Sequence, residues 1–345
     1  MYLTRLAIHL LLFLSLSVPA EMVQAQSPSP SRGIGIKPVE KKAQTAFDQG
    51  HYRALVIGNN EYIDNKGVWR SLKTAQNDAR AVAKLLTESY GFSDVKLLEN
   101  ATRKEVLNAI ESLSRRVMSQ DNVLIYYAGH GFLDTETNKG FWVPVDAQGM
   151  DNTTFLRHST IRDEMTGIAF RAKHTLLISD SCFSGALLRS GTRGPSPGMA
   201  DEKYYKKVAS KKSVQIMAAG GEEYVDDNYK ASGHSPFTYF LLSELQNNNS
   251  QMLSSSELSS NVKKAVANNV DQVPESGVLQ GAGDELGEFI FIKLKVGVKG
   301  VPAEKVKVEV DIVPFKEPAA LTAPRKSPAQ LPDESQSKII PIPTL

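Results

Sequence analysis

The chain of 345 residues holds a single cysteine, Cys182. One thiol closes no internal disulfide, and it excludes zinc sites of the CxxC type. Stability must then come from an apolar core, which a domain of about 250 residues can supply. An excess of one charge is also lacking: 40 Lys and Arg stand against 38 Asp and Glu, for a net charge of +2. That balance gives no basic field for nucleic acid and no acidic face for a polybasic partner. No solenoid-length repeat is visible. The apolar run Leu6–Val18 is too short to span a bilayer, so no membrane association beyond export is expected.

What is present divides the chain into four zones. Arg5, the run Leu6–Val18 and the small residues near Ala25 predict a signal peptide over 1–25, and with it an exported protein, periplasmic or secreted. Export makes a lone thiol a liability, which favours a use for it. Residues 26–50, rich in Pro and Ser, predict a linker. Residues 51–295 are periodic and predict one domain. The Pro-rich zone 296–345 predicts a mostly disordered tail, within which "KVKVEVDIV" alternates as one further strand would.

Inside the domain, apolar runs alternate with helix patterns. "RALVIG", "DVKLL", "NVLIYYAG", "HTLLIS", "SVQIMAAG" and "GEFIFIKL" predict strands, and "GFWVPVDA" a hairpin arm. Ala79, Val82, Ala83 and Leu86 mark one helix face. Thr102 and Glu105 form a capping-box pattern ahead of another helix. "SPFTYFLLSEL" and "SSELSSNVKKAVANNV" predict two more. Strands separated by helices predict an α/β fold, a mostly parallel sheet sandwiched between helices. In such a sheet, sites form beyond the carboxyl ends of the strands.

Two of these ends carry chemistry. "NVLIYYAG" runs into His130-Gly131, and "HTLLIS" runs into Asp180-Ser181-Cys182. If the strands are neighbours, imidazole and thiol meet, and the imidazole can generate the thiolate. The backbone N–H groups of Gly131 and Cys182 are candidates for an oxyanion hole. Gly129 and Gly131 would let the backbone approach a substrate, and Gly185 frees space after the cysteine. His158, His174 and His234 have no such companion and read as structural or surface residues.

"YYAGHGF" followed by "LLISDSCFSGAL", with "ALVIGNNEY", "NDA" and "GHSPFTYFLLSEL", resembles the caspase-like cysteine peptidases (family C14). The metacaspase branch and its bacterial counterparts are most similar. His130 and Cys182 lie 52 positions apart, near the separation found in caspases. The resemblance implies a six-stranded caspase-like fold, a Cys182–His130 dyad forming a thioester, and a monomer. It implies peptide or protein substrates with Arg or Lys before the cut, selected by Asp78 and Asp180. It also implies self-processing in the linker 188–213, which carries Arg189, Arg193, Lys203, Lys206 and Lys207. No cofactor is expected beyond a possible calcium ion, since the acids that hold calcium in metacaspases would fall on Asp146, Asp163 and Glu164. A further acid of that set is replaced near Arg189. The alternative is a non-catalytic caspase-fold module that binds peptides without cutting them.

Overall fold

The computed structural model describes residues 50–63, 67–182, 184–187, 202–220, 227–279, 281–294 and 309–311. The expected signal peptide and most of the linker after it lie outside these residues, as do Arg189 and Arg193.

In chain order the elements are β1 (Tyr52–Gly58), α1 (Ala75–Tyr90), β2 (Asp94–Glu99), α2 (Arg103–Arg116) and β3 (Asn122–Ala128). Then follow β4 (Gly131–Asp134), β5 (Lys139–Trp142), β6 (Leu156–Arg157), α3 (His158–Arg171) and β7 (His174–Asp180). The last group is α4 (Glu202–Ala209), β8 (Ser213–Ala218), α5 (Pro236–Asn247), β9 (Met252–Ser254), α6 (Ser255–Ala267), β10 (Glu275–Val278), β11 (Ile290–Ile292) and β12 (Glu309–Asp311). The central sheet has the order β10-β8-β7-β3-β1-β2-β12. All its pairings are parallel except β10 with β8.

The continuous apolar runs form the inner strands because both faces of those strands are covered. Successive residues of β1 enter opposite cores. Ala54 and Val56 pack with α1, α5 and α6, while Leu55 and Ile57 pack with α2 and α3. β3 divides in the same way, with Leu124 and Tyr126 on the first face and Val123, Ile125 and Tyr127 on the second. The capping box at Thr102 and Glu105 starts α2, and a second at Ser254 and Glu257 starts α6. Among the described residues no helix is long and apolar enough to cross a membrane.

Three expectations change. "GEFIFIKL" does not complete the central sheet: β11 pairs with β9 in a separate two-stranded sheet. Its apolar residues instead cover α1, where Tyr90 and Phe291 meet edge to face at 5.7 Å. The sheet's antiparallel edge is β10, whose sequence Glu-Ser-Gly-Val gives little strand signal. The expected strand in "KVKVEVDIV" is β12, parallel to β2, so the sheet has seven strands. Finally, the part of the 188–213 segment that holds Lys203, Lys206 and Lys207 is helix α4, with Tyr205 and Ala209 buried against Ile290.

Candidate active site

β3 and β7 are paired neighbours, in register from Asn122↔His174 to Ala128↔Asp180. The residues that follow them, His130 and Cys182, therefore emerge side by side. A Cβ at position 131 would collide with the carbonyl of Cys182, so only glycine permits this approach of the two backbones. Gly129 has a different task from the one expected. A Cβ there would crowd the hydroxyls of Tyr127 and Tyr62, at 2.8 and 3.0 Å. Both hydroxyls hold the histidine. Tyr62 Oη accepts the His130 N–H at 2.7 Å, and Tyr127 Oη donates to the His130 carbonyl at 2.9 Å. Tyr127 is itself fixed by stacking on Trp142 at 4.2 Å and 7°.

The imidazole is oriented by a group that no sequence motif displays. Nε2 of His130 lies 2.7 Å from the carbonyl oxygen of Arg70. A carbonyl only accepts, so Nε2 carries the proton and Nδ1 keeps its lone pair when the ring is neutral. The loop carrying Arg70 is locked by asparagines. Asn60 Oδ1 accepts the Gln76 N–H at 3.0 Å, and Asn100 Oδ1 accepts those of Asn60 and Glu61 at 2.9 and 3.0 Å. Trp69 anchors the same loop by donating Nε1–H to the Gly149 carbonyl at 2.7 Å. Burial lowers the His130 pKa below the usual imidazole range, against the pull of the Arg70 carbonyl and of Asp227. The ring is thus held in its basic, neutral form.

A cavity of about 250 Å³ opens beside His130 and Cys182, which line it together with Asp78, Asp180, Asp227 and Ser235, among others. Asp180 is the last residue of β7 and is buried. Its Oδ2 accepts the hydroxyls of Ser235 at 2.5 Å and Thr238 at 2.6 Å, while its Oδ1 has no partner among the described residues. Burial, reinforced by the nearby Asp78 charge, pushes its pKa up to about 7. Asp78 sits in the first turn of α1. Its Oδ1 receives Nδ1–H of His234 at 2.6 Å, and its Oδ2 the N–H of Ser235 at 3.2 Å. Burial raises its pKa as well, opposed chiefly by the hydrogen bond from His234.

His234 therefore has a structural role in the frame of the cavity, as the residue bound to Asp78. Asp227 is a third acid of the cavity that the sequence did not single out. Its carboxylate accepts the N–H groups of Lys73 and Thr74 at 2.7 and 3.2 Å, capping α1 from a distant loop. Both contacts span more than 150 residues, so no local pattern encodes them. His158 and His174 are buried in the fold, and His174 is held by Ser213 and the Ala209 carbonyl.

The calcium set is not assembled. Among the described residues no group of three or more Asp, Glu, His or Cys side chains converges as a metal site. Asp146 is occupied with the first turn of α2, accepting the Arg103 N–H at 2.8 Å. Asp163 and Glu164 lie on α3.

The family of the domain comes from comparison with known proteins. Residues 51–278 match the caspase domain of peptidase family C14. The chain is 28% identical over 184 residues to Metacaspase-1 of Saccharomyces cerevisiae, across 48% of this chain and 40% of that protein. It is 29% identical over 152 residues to Metacaspase-4 of Arabidopsis thaliana, across 39% of this chain and 34% of that one. A Geobacter sulfurreducens protein of known crystal structure is similar with a TM-score of 0.47 and 20% identity, covering 70% of this chain and 100% of that one. The chain thus spans well under half the length of the curated relatives it matches. The match runs from the residue before β1 to the end of β10 and encloses both His130 and Cys182, so the chain belongs to the caspase domain family, peptidase family C14.

Proposed function

We propose that the protein is a cysteine endopeptidase that cuts after Arg or Lys. The observation that carries this is Asp180, a residue lining the cavity with Cys182 and His130, whose buried Oδ1 has no partner among the described residues. A buried carboxylate oxygen without a donor is costly. A guanidinium or ammonium entering the cavity removes that cost, and an acidic side chain increases it.

His130 Nδ1 takes the thiol proton of Cys182, and the thiolate attacks the scissile carbonyl carbon. The N–H groups of Gly131 and Cys182 receive the developing oxyanion. The imidazolium then protonates the leaving amine, and the C–N bond breaks to leave a thioester. Water, deprotonated by His130, attacks the thioester. Collapse expels the thiolate, which regains the proton, and releases the acid product. The Arg70 carbonyl holds the ring throughout and stabilises its cationic form.

Export and a monomeric state belong to the same proposal, as does self-processing. Cleavage within the 188–213 linker is assigned to Arg189 or Arg193. The lysines of α4 would first have to unwind a helix anchored by Tyr205. The deciding experiment is turnover of arginyl, lysyl and aspartyl fluorogenic peptides by the purified chain and by Cys182→Ala, with mass spectrometry of both. Expected are arginyl and lysyl cleavage only, lost in the variant, with a nick near Arg189 or Arg193 in wild type alone. Equal aspartyl cleavage would overturn the specificity, and turnover by Cys182→Ala the mechanism.

A further inference from the structure

Ser235 lies between the two acids of the cavity and touches both. Its N–H donates to Asp78 Oδ2 at 3.2 Å, and its hydroxyl donates to Asp180 Oδ2 at 2.5 Å. The same oxygen accepts the Thr238 N–H at 3.0 Å, as the N-cap of α5. That last contact fixes the hydroxyl rotor: with a lone pair held by Thr238, the proton is left to point at Asp180. Thr238 Oγ1 donates to the same Asp180 oxygen, so the Tyr126 hydroxyl, 2.6 Å from Thr238, must be the donor in that pair.

We propose that Ser235 is a positioning residue that ties Asp78 and Asp180 into one unit and keeps the Oδ1 edge of Asp180 turned toward an arriving cation. The proposal rests on the Arg/Lys reading above. Two buried carboxylates repel, and each lowers the other's willingness to ionise. Donors on their inner edges relieve this, and Ser235 supplies one to each. Both hydroxyl donors to Asp180 fall on Oδ2, and Oδ1, which has no partner among the described residues, is assigned to the substrate's cation. Helix capping alone does not require this residue, since Asn, Asp or Gly cap comparably. An aspartate here would add a further negative charge beside Asp78, Asp180 and Asp227, and no donor. Only Ser or Thr both caps the helix and donates an O–H.

The titratable groups facing Asp180 come from several elements. They are Asp78 on α1, Tyr126 on β3, His130 after β3, Cys182 after β7, and Asp227 and His234 before α5. Asp78 and Asp227 are the ones whose charge opposes ionisation of Asp180. Removing a hydroxyl donor must therefore shift Asp180 further toward its protonated form.

The test measures kcat and KM for arginyl and lysyl peptides from pH 5.5 to 9. It compares the full chain with Ser235→Gly, Ser235→Thr and Thr238→Ala, alongside the rate at which iodoacetamide alkylates Cys182. Ser235→Gly is the decisive variant because glycine costs the helix cap little. It should raise KM about tenfold, leave kcat within about twofold, and move the acid limb of kcat/KM to higher pH. Alkylation should stay at the wild-type rate. Ser235→Thr should restore the wild-type profile. Thr238→Ala should move the limb the same way with a smaller rise in KM, and it carries the test if Ser235→Gly does not fold. Wild-type KM and pH profile in Ser235→Gly would overturn the proposal while leaving the Arg/Lys reading intact, as would a defect that Ser235→Thr fails to rescue. A wild-type chain whose Cys182 reacts but which cleaves no arginyl or lysyl peptide would overturn both.

Discussion

The two neighbouring strands β3 and β7 carry a buried aspartate at each end of the sheet, and the two ends treat it oppositely. Asp121, just before β3, is fully served. Its side chain accepts Arg53 Nε–H at 2.7 Å and the N–H groups of His51 and Met118 at 3.0 Å each. Burial alone would raise its pKa, but the Arg53 hydrogen bond and these N–H donors outweigh it and hold it below the usual carboxylate range. Asp180, at the far end of β7, has one oxygen served by two neutral hydroxyls and the other by no group among the described residues, with Asp78 nearby. One end of the sheet spends its charges on the fold. The other leaves a charge unsatisfied, as a binding site must if the ligand is to supply the missing partner.

That contrast predicts a crossed pattern of effects. Asp180→Ala should cost about 4 kcal/mol of transition-state binding for an arginyl substrate, by analogy with losing one partner of a desolvated pair. Its folding stability should be unchanged or higher. Asp121→Ala should do the reverse. About 3 kcal/mol of stability is lost because Arg53 is left with Asp94 alone, while kcat/KM per folded molecule holds. Urea titration and arginyl-peptide kinetics on the two variants check this. A large loss of stability in Asp180→Ala would mean that Asp180 serves the fold and would erase the distinction.

The same contrast marks what could be read from sequence. The inner strands were legible because burial on both faces imposes continuous apolar runs, and His130 and Cys182 because they directly follow two of them. The groups packed around these two residues were not. The Arg70 carbonyl is backbone, and Tyr62 reads as an ordinary aromatic in a loop. Ser235, His234 and Asp227 act across more than 50 to 150 residues of chain on groups that only the fold brings near. Arg53 and Asp121 were hidden for the same reason, 68 positions apart. The edge strand β10 was missed because an edge needs no apolar pattern. "GEFIFIKL" was placed in the wrong sheet because its alternation specifies burial but not partner.

Stability against pH should separate the two ends next. Asp121 has a depressed folded pKa. Its contribution is present above the ordinary carboxylate value of about 3.9 and is lost as pH falls through the depressed one. Asp180 has a raised pKa, so the folded state binds a proton that the unfolded state has released. Its penalty begins near pH 4 and is complete above about 7. Unfolding free energy should therefore decline from about pH 4 to pH 7 by on the order of 2 kcal/mol, allowing for water entering the cavity. Asp180→Asn should flatten that decline without touching the acid side. A decline that persists in Asp180→Asn would place its origin elsewhere.

The smallest effect discriminates most finely between the dyad and the acids beside it. The acid limb of kcat/KM reports the free enzyme, in which Asp180 must be ionised to take a cationic side chain. That limb should have an apparent pKa of about 7, shared between Asp180 and Asp78, with a fall of about tenfold per pH unit below it. The limb of kcat reports the bound complex. There the substrate's own cation holds Asp180 ionised, and what remains is His130, whose pKa burial has lowered. The kcat limb should thus lie below that of kcat/KM, and below the usual imidazole range. An uncharged citrulline substrate sharpens the point, because it needs no ionised pocket. Its kcat/KM, though low, should follow pH as kcat does for arginine. If both parameters share one limb for both substrates, a single group governs binding and chemistry, and the division of labour between Asp180 and His130 fails.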